Sequence, residues 1–433
     1  MKTTLQKCAF GTICFGLLLT VWRITKLDRS WVGLQSSSSL QDVHPQSGLP
    51  GSRQFVQELE EQKIVAVQDI FRQSENSSWH NSTVFENNAS NLTEEQSAGS
   101  TVCGEPKHNI VFFKMHKCSS STVQNILMRY GDKQDLNFVL PPRGNYLGHG
   151  EFNKRAMLSF PVKEYNILCH HTRFSFQGMS EVMPKNSVWT TIIRDPVYMF
   201  ESSFYYMNMD KSFHIRESDP LATFAENPSF YVTKYGRMGK GKNPMLFDLG
   251  LSDDKKDDIN FIKEMIAKLD GYFDLVLVTE YFEESLILFK ELMCWELDDI
   301  AYFVVNARAK NSIHKITDKT VENLRKWNLG DQMLYEHFNG TLWKKIEAFG
   351  IERMKKEVTL LKARNEELEA RCIMDPSKTV NKGGIWHPGG IDIKGFVVKP
   401  GMEKDQLCKG MAMAELKFTA YLLQKQKTKY GMH

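Results

Sequence analysis

Asn109-Ile-Val-Phe-Phe-Lys-Met-His-Lys-Cys-Ser-Ser-Ser-Thr122 starts as an unbroken apolar run and ends in a string of hydroxyls. The run Ile110 to Phe113 reads as a buried strand, and Val123, Ile126, Leu127 and Tyr130 beyond it recur at helical spacing, with Gly131 placed to close the helix. Further apolar runs at Tyr165 to Cys169, Val188 to Ile193 and Phe273 to Thr279 give three more strands, each followed by a helical pattern. Strands alternating with helices imply an α/β fold with a parallel, doubly wound sheet. In such a sheet a ligand sits beyond the carboxyl ends of the strands, so the loops after Phe113 and Ile193 are where chemistry is expected.

The first of these loops has the architecture of a P-loop, with Lys117 and a run of hydroxyls opening the helix. It lacks the Gly-x-x-x-x-Gly-Lys-Ser/Thr glycines, which argues against ATP or GTP. A helix N-terminus offers free amides and partial positive charge; Lys114, Lys117, Ser119, Ser120, Ser121 and Thr122 add cations and hydroxyls around it. Such a loop is suited to hold a phosphate. On its own it reads equally well as an N-cap at Ser120 or Ser121 with solvated lysines. The second loop shifts that balance. Arg194 leaves the strand Val188 to Ile193 at its carboxyl end, Pro196 suits a first helical turn, and Ser202 follows in Arg194-Asp-Pro-Val-Tyr-Met-Phe-Glu-Ser-Ser-Phe-Tyr-Tyr206. Arg194 supplies a fork of donors and Ser202 a hydroxyl, enough for the two to clamp one phosphate. Asp195 capping a helix is the alternative that needs no ligand.

The rest of the chain supplies the setting. With 55 Lys+Arg against 52 Asp+Glu, the net charge of +3 creates no broad field for nucleic acid or another polyanion. Cys8 to Trp22 is fifteen residues without a charge, framed by Lys2 and Lys7 before it and by Arg23, Lys26 and Arg29 after it. As a helix it spans about 22 Å, short of a ~30 Å hydrocarbon layer unless its flanks snorkel. No small-x-small cleavage site follows the run directly, which favours an uncleaved anchor over a signal peptide. Basic residues flank both sides, so orientation rests on the sequons at Asn76, Asn81, Asn88, Asn91 and Asn339, all C-terminal to the anchor. They imply a single-pass type II protein whose bulk is lumenal and glycosylated, with residues 1–7 as cytoplasmic tail, 8–25 as anchor and 26–102 as stem. Within the stem, Phe55 to Phe71 reads equally as a self-association helix, for a homodimer, or as a fluctuating segment. Cys103, Cys118, Cys169, Cys294, Cys372 and Cys408 lie beyond the anchor and allow one to three disulfides; no spacing among them suits a metal. Toward the C-terminus, Leu342 to Leu368 reads as an amphipathic helix lying on the domain, and Lys404 to Gln424 as a last helix.

The Lys-x-His-Lys-x-x-Ser-Ser-Thr loop and the Arg-Asp-Pro-x-x-x-x-x-Ser element resemble the 5′-phosphosulfate and 3′-phosphate sites of sulfotransferases that use 3′-phosphoadenosine 5′-phosphosulfate (PAPS). More narrowly, Asn109 to Thr122, Cys169-His-His-Thr-Arg-Phe174, Ile193 to Phe204, Leu275 to Leu286, Cys294-Trp-Glu-Leu297, Tyr302-Phe303 with Asn306-Ala-Arg308, and Phe338-Asn-Gly-Thr-Leu-Trp343 resemble the galactose-3-O-sulfotransferases. The resemblance runs from about Cys103 to Cys372 and implies a P-loop-like sulfotransferase domain over 103–433. It implies PAPS as the sulfuryl donor with no metal, a galactose-terminated glycolipid or glycoprotein as the acceptor, and the Golgi membrane as the location. Carried over by residue, Lys114, Lys117, Ser119, Ser120, Ser121 and Thr122 contact the donor, and Arg194 and Ser202 clamp its 3′-phosphate. His116 becomes the base, with Lys114, Lys117 and His171 beside it in the catalytic set and His170 in a supporting place. Cys118 departs from the expected loop, where a small hydroxyl or alkyl residue belongs. The competing expectations are a sulfotransferase for another glycan, such as a glycosaminoglycan, and a catalytically silent lectin-like glycoprotein.

Overall fold

The computed structural model describes residues 103–235, 240–303, 315–375 and 395–432. The anchor, the stem with its four clustered sequons, the segment Phe55 to Phe71 and the Asn306-Ala-Arg308 motif lie outside the described residues.

All four expected strands form: β1 (Ile110–Phe113), β3 (Ile167–Leu168), β5 (Val188–Ile193) and β6 (Leu275–Val278). They pair in parallel in the order β3-β1-β5-β6, with Val111 opposite both Leu168 and Trp189, and Ile192 opposite Leu277. Every residue of these strands is buried, as a parallel sheet covered on both faces requires. The chain runs from β1 to β3 at one edge and then back across β1 to β5. The strand order therefore reverses at β1, and the loop after Phe113 stands at that switch point. Two hydroxyls brace the central strand inside the core, Thr190 donating to the Leu275 carbonyl at 2.7 Å and Thr191 to that of Phe113 at 2.8 Å. A separate parallel pair joins β2 (Tyr146–Glu151) to β4 (His171–Arg173), with Tyr146 opposite His171. No apolar alternation in the sequence announces it.

The helices that carry or support the site are α1 (Ser120–Lys133), α2 (Pro196–Tyr206), α3 (Pro244–Asp248), α4 (Ile259–Asp270), α5 (Phe282–Met293), α6 (Asp318–Trp327), α7 (Leu329–Phe349), α8 (Ile351–Cys372), α9 (Gln406–Ala412) and α10 (Glu415–Lys429). α5 and α7 pack against β6, α8 against α5 and α7, and α9 and α10 against α1. Three boundaries differ from expectation. Gly131 does not end α1, which runs two residues further. It is buried where a Cβ would come within 2.3 Å of the Phe138 ring, so its smallness serves packing rather than capping. The periodic stretch from Leu342 to Leu368 belongs to two helices broken at Gly350, whose φ of 98° lies in the left-handed region that glycine adopts without penalty. Met354, Leu361 and Leu368 of α8 are buried against the domain, which is the amphipathic packing expected of this stretch. The last helix is likewise two, α9 and α10, and the break puts Glu415 at the first turn of α10.

One disulfide, Cys372–Cys408, joins the end of α8 to α9 within a small cluster of Ala301, Phe303, Leu368, Ile373 and Met411. Closing a loop of that length contributes about 3 to 4 kcal/mol in the chain-entropy picture. Cys103, Cys118, Cys169 and Cys294 are free thiols. Cys118 is fully buried beneath the loop, its thiol 3.2 Å from the His116 carbonyl, and burial holds its pKa well above the usual thiol range. The departure at this position is thus an inert space-filling residue with no disulfide partner.

Candidate active site

The loop between β1 and α1 makes its turn without glycine. Lys117 and Ser119 take left-handed conformations, with φ of 60° and 58°. Each costs about 1 to 3 kcal/mol for a residue with a Cβ. Left-handed residues in a short loop aim successive amides into a concavity suited to an anion. α1 then opens at Ser120, with Ser119 as its N-cap contributing no side-chain hydrogen bond. The N-cap reading of Ser120 or Ser121 is thereby replaced. Ser120 donates instead to the Met115 carbonyl, while Ser121 donates to the carboxylate of Glu415 at 3.0 Å. Ser119 is exposed and Thr122 is buried. The Lys117 ammonium lies over the Tyr206 ring, 3.6 Å from its centre.

Arg194 leaves β5 as expected, and its guanidinium donates to the carbonyl of Lys117 at 3.3 Å, tying the second loop to the first. Thr279, at the end of β6, donates to the carbonyls of Cys118 and Ile193 and fastens the same two loops. Asp195 caps α2 by accepting from the amide of Val197 at 2.9 Å and pairs with Arg325 of α6 at 2.7 Å. Pro196 occupies the first turn and Ser202 is buried within α2. Capping by Asp195 and a cation at the strand end therefore coexist.

His116 is held at both ring nitrogens. Its Nδ1–H donates to Oδ2 of Asp248 at 2.6 Å, and its Nε2 lies 2.9 Å from the Tyr146 hydroxyl. Burial lowers the His116 pKa below its usual 6.5, with the Asp248 carboxylate opposing that fall. Asp248 is itself buried, which would raise its pKa, yet His116 and then Lys240, 3.7 Å away, outweigh the burial and keep it ionised. Burial also pushes the Tyr146 phenol up to about 12, so it stays protonated and donates to the Nε2 lone pair. An imidazole oriented by a carboxylate, with a neutral ring and its lone pair directed at a hydroxyl, is the arrangement of a general base.

His171 lies parallel to His116, with ring centres 4.2 Å apart, but its nitrogens are both taken by one residue. Nδ1–H donates to the Lys114 carbonyl at 3.2 Å, and Nε2 accepts from the Lys114 ammonium at 2.8 Å. Burial, then Lys114, then His116 lower its pKa well below the usual value, so it is neutral. With its lone pair fixed on Lys114 it has none to offer a substrate. Lys114 is almost completely buried and also donates to both oxygens of Glu415, at 2.9 and 3.0 Å. His170 sits behind, its Nε2 3.0 Å from the Thr419 hydroxyl of α10, and burial lowers its pKa to about 4, as befits a structural histidine.

The structure thus gathers Lys114, His116, Lys117, His171, Ser119 to Thr122 and Arg194 around one switch point, with Ser202 on the helix that begins there. Asn339 is elsewhere, in the middle of α7, with its side-chain oxygen buried and without a hydrogen-bond partner. Asp248, Tyr146, Lys240 and Glu415 were invisible to sequence reasoning. They come from a short helix, an edge strand, a turn and the C-terminal helix, in stretches with no motif.

A family profile described as Galactose-3-O-sulfotransferase matches residues 63–426. Galactosylceramide sulfotransferase of Bos taurus is 36% identical over 329 residues, 72% of this chain and 78% of that protein. The protein of that name from Homo sapiens aligns with the same identity and coverage. Galactose-3-O-sulfotransferase 2 of Sus scrofa is 34% identical over 342 residues, covering 75% and 85% of the two chains.

Proposed function

The chain belongs to the galactose-3-O-sulfotransferase family, and from that premise we propose how its site works. It is a sulfotransferase that moves a sulfuryl group to the 3-hydroxyl of galactose, with PAPS as the donor. The observation that carries the mechanism is the His116 ring, oriented by Asp248, with a neutral Nε2 directed at the Tyr146 hydroxyl beside a phosphate-type loop. The residues of that loop fit a phosphosulfate: Lys117 and Ser119 take the left-handed conformations of an anion-binding turn, Lys117 supplies a cation from the loop itself, and Arg194 is tied to the same loop through the Lys117 carbonyl.

In this reading the galactose 3-oxygen attacks sulfur as the bond from sulfur to the 5′-phosphate oxygen breaks. Sulfuryl transfer resembles phosphoryl transfer in needing alignment and neutralised leaving-group charge more than covalent assistance. Lys117 neutralises the charge gathering on the leaving phosphate. Arg194 and Ser202 hold the 3′-phosphate, which does not react. The acceptor proton passes to His116 Nε2, either through the Tyr146 hydroxyl, which accepts it while releasing its own, or directly once that hydroxyl is displaced. The Asp248 carboxylate then stabilises the imidazolium.

The lumenal, Golgi-membrane placement belongs to the same proposal. It is supported by the apolar run Cys8 to Trp22 and by the sequons that follow it. Labelled PAPS offered with terminal β-galactosides tests the reading. Label should pass to the galactoside and should be lost when the 3-hydroxyl is absent or methylated. Equal transfer to a 3-deoxygalactoside, or preference for a heparan chain, would defeat it.

A further inference from the structure

We propose that Glu415, at the start of the C-terminal helix α10, is a positioning residue that sets the geometry and charge around the catalytic base. The inference rests on the reading of His116 as that base and extends it to a residue 301 positions away from Lys114 in sequence. Glu415 accepts four hydrogen bonds from three groups, the Lys114 ammonium reaching both of its oxygens. These are the Lys114 ammonium after β1, the Ser121 hydroxyl on α1, and the Asn145 amide just before β2, at 2.7 Å. Burial would raise the Glu415 pKa, but Lys114, Asn145 and Ser121 together bring it below the usual carboxylate value, so the group is a standing anion.

Two consequences follow from those contacts. Through Lys114, Glu415 fixes the partner that occupies His171 Nε2, and so fixes the ring stacked on His116. Through Asn145, it fixes the residue next to Tyr146, whose hydroxyl meets His116 Nε2. One carboxylate therefore steadies the base from both flanks. It also compensates a buried ammonium that otherwise stands beside two imidazoles. The ionisable groups facing His116 are Asp248 and Lys240 on one side, and Lys114, His171 and Tyr146 on the other. Those facing Glu415 are Lys114, His170, Cys169, Tyr146 and Tyr206. Loss of the Glu415 charge leaves the field of Lys114 uncompensated, and a cation near His116 disfavours its protonated form.

Glu415→Gln keeps the shape and the acceptor for Asn145 while removing the charge. Its kcat on a β-galactoside should fall about ten- to a hundredfold, the usual cost of a loosened catalytic geometry. Affinity for 3′-phosphoadenosine 5′-phosphate (PAP), the desulfated nucleotide, should stay near that of the unmodified enzyme. The acid limb of kcat should move to lower pH. In a Lys114→Met background the same substitution should add little, because its effect runs mainly through Lys114. Histidine-resolved NMR titration of the ligand-free protein reads the point without turnover: the His116 midpoint should drop in Glu415→Gln. An unmoved midpoint with unmoved kcat would overturn the proposal, as would loss of PAP affinity in step with kcat. Failure of the unmodified enzyme to sulfate any β-galactoside would instead overturn the acceptor reading, and the NMR result would still decide the role of Glu415.

Discussion

Arg194 and His116 meet the same short loop but are assigned different work, and substitution separates them. Arg194 is proposed to hold the 3′-phosphate, and a charge-assisted contact of this kind is worth about 1.5 to 3 kcal/mol, so Arg194→Ala should weaken PAP binding about ten- to a hundredfold. His116→Ala should bind PAP almost normally while turnover falls about 10²- to 10⁴-fold, the range for loss of a general base. Asp248→Asn should resemble His116→Ala, since an amide cannot stabilise the imidazolium and can present the wrong partner to Nδ1. Calorimetry with PAP beside turnover on a β-galactoside checks all three. If His116→Ala lost nucleotide affinity but kept its rate at saturating donor, the base assignment would be wrong. His171 would not inherit the role unless Lys114 first released its Nε2. His116 was legible in the sequence because it lies in a phosphate-type loop after a strand, and His171 through the resemblance of Cys169-His-His-Thr-Arg-Phe174. Their division of labour was not, because it depends on which nitrogen each partner occupies.

At the scale of elements, His116 is placed by a relay of short pieces. Asp248 ends α3, whose opening amides at Met245 and Leu246 donate to the two carboxyl oxygens of Asp331, each at 2.9 Å. Arg173 of β4 holds the far end through the carbonyls of Phe247 and Leu251. Burial raises the Asp331 pKa from 3.8 to about 7, opposed by its two amide donors. A carboxyl whose pKa is higher folded than unfolded binds more protons in the folded state, so stability falls as pH rises between those values. Relative to Asp331→Asn, the unmodified protein should therefore lose stability as pH rises from about 4 to about 7 and change little below that window. Urea denaturation of both proteins across that range measures the difference, and parallel stability curves would show that Asp331 ionises normally. The four main strands, the loops after β1 and β5 and the start of α2 were readable because their signals are local. The β2–β4 pair was not, since Tyr146-Leu-Gly-His-Gly-Glu151 has neither the alternation nor the apolar run of a strand and pairs only because β4 lies opposite.

For the whole molecule, the proposal is a lumenal enzyme on a glycosylated stem behind an uncleaved anchor. Glycosidase digestion of the full-length protein from intact cells should increase its mobility, and bare Asn76, Asn81, Asn88 and Asn91 would sink the type II assignment. By itself the sequence determined a parallel α/β fold, the loop after the first strand with its lysines, hydroxyls and histidine, and the arginine at the next strand end. Each of these is written in a stretch of about a dozen residues, within which backbone periodicity and side-chain chemistry are coupled. Only the tertiary structure decided that Asp248 orients His116, that Tyr146 meets its lone pair, that His171 is spent on Lys114, and that Glu415 anchors Lys114 from the far end of the chain. Those partners are 30 to 301 residues apart, and a hydrogen bond of 2.6 to 3.2 Å between such positions leaves no local trace. It exists because the sheet order, the covering helices and the docking of α10 on α1 bring separate stretches to one point.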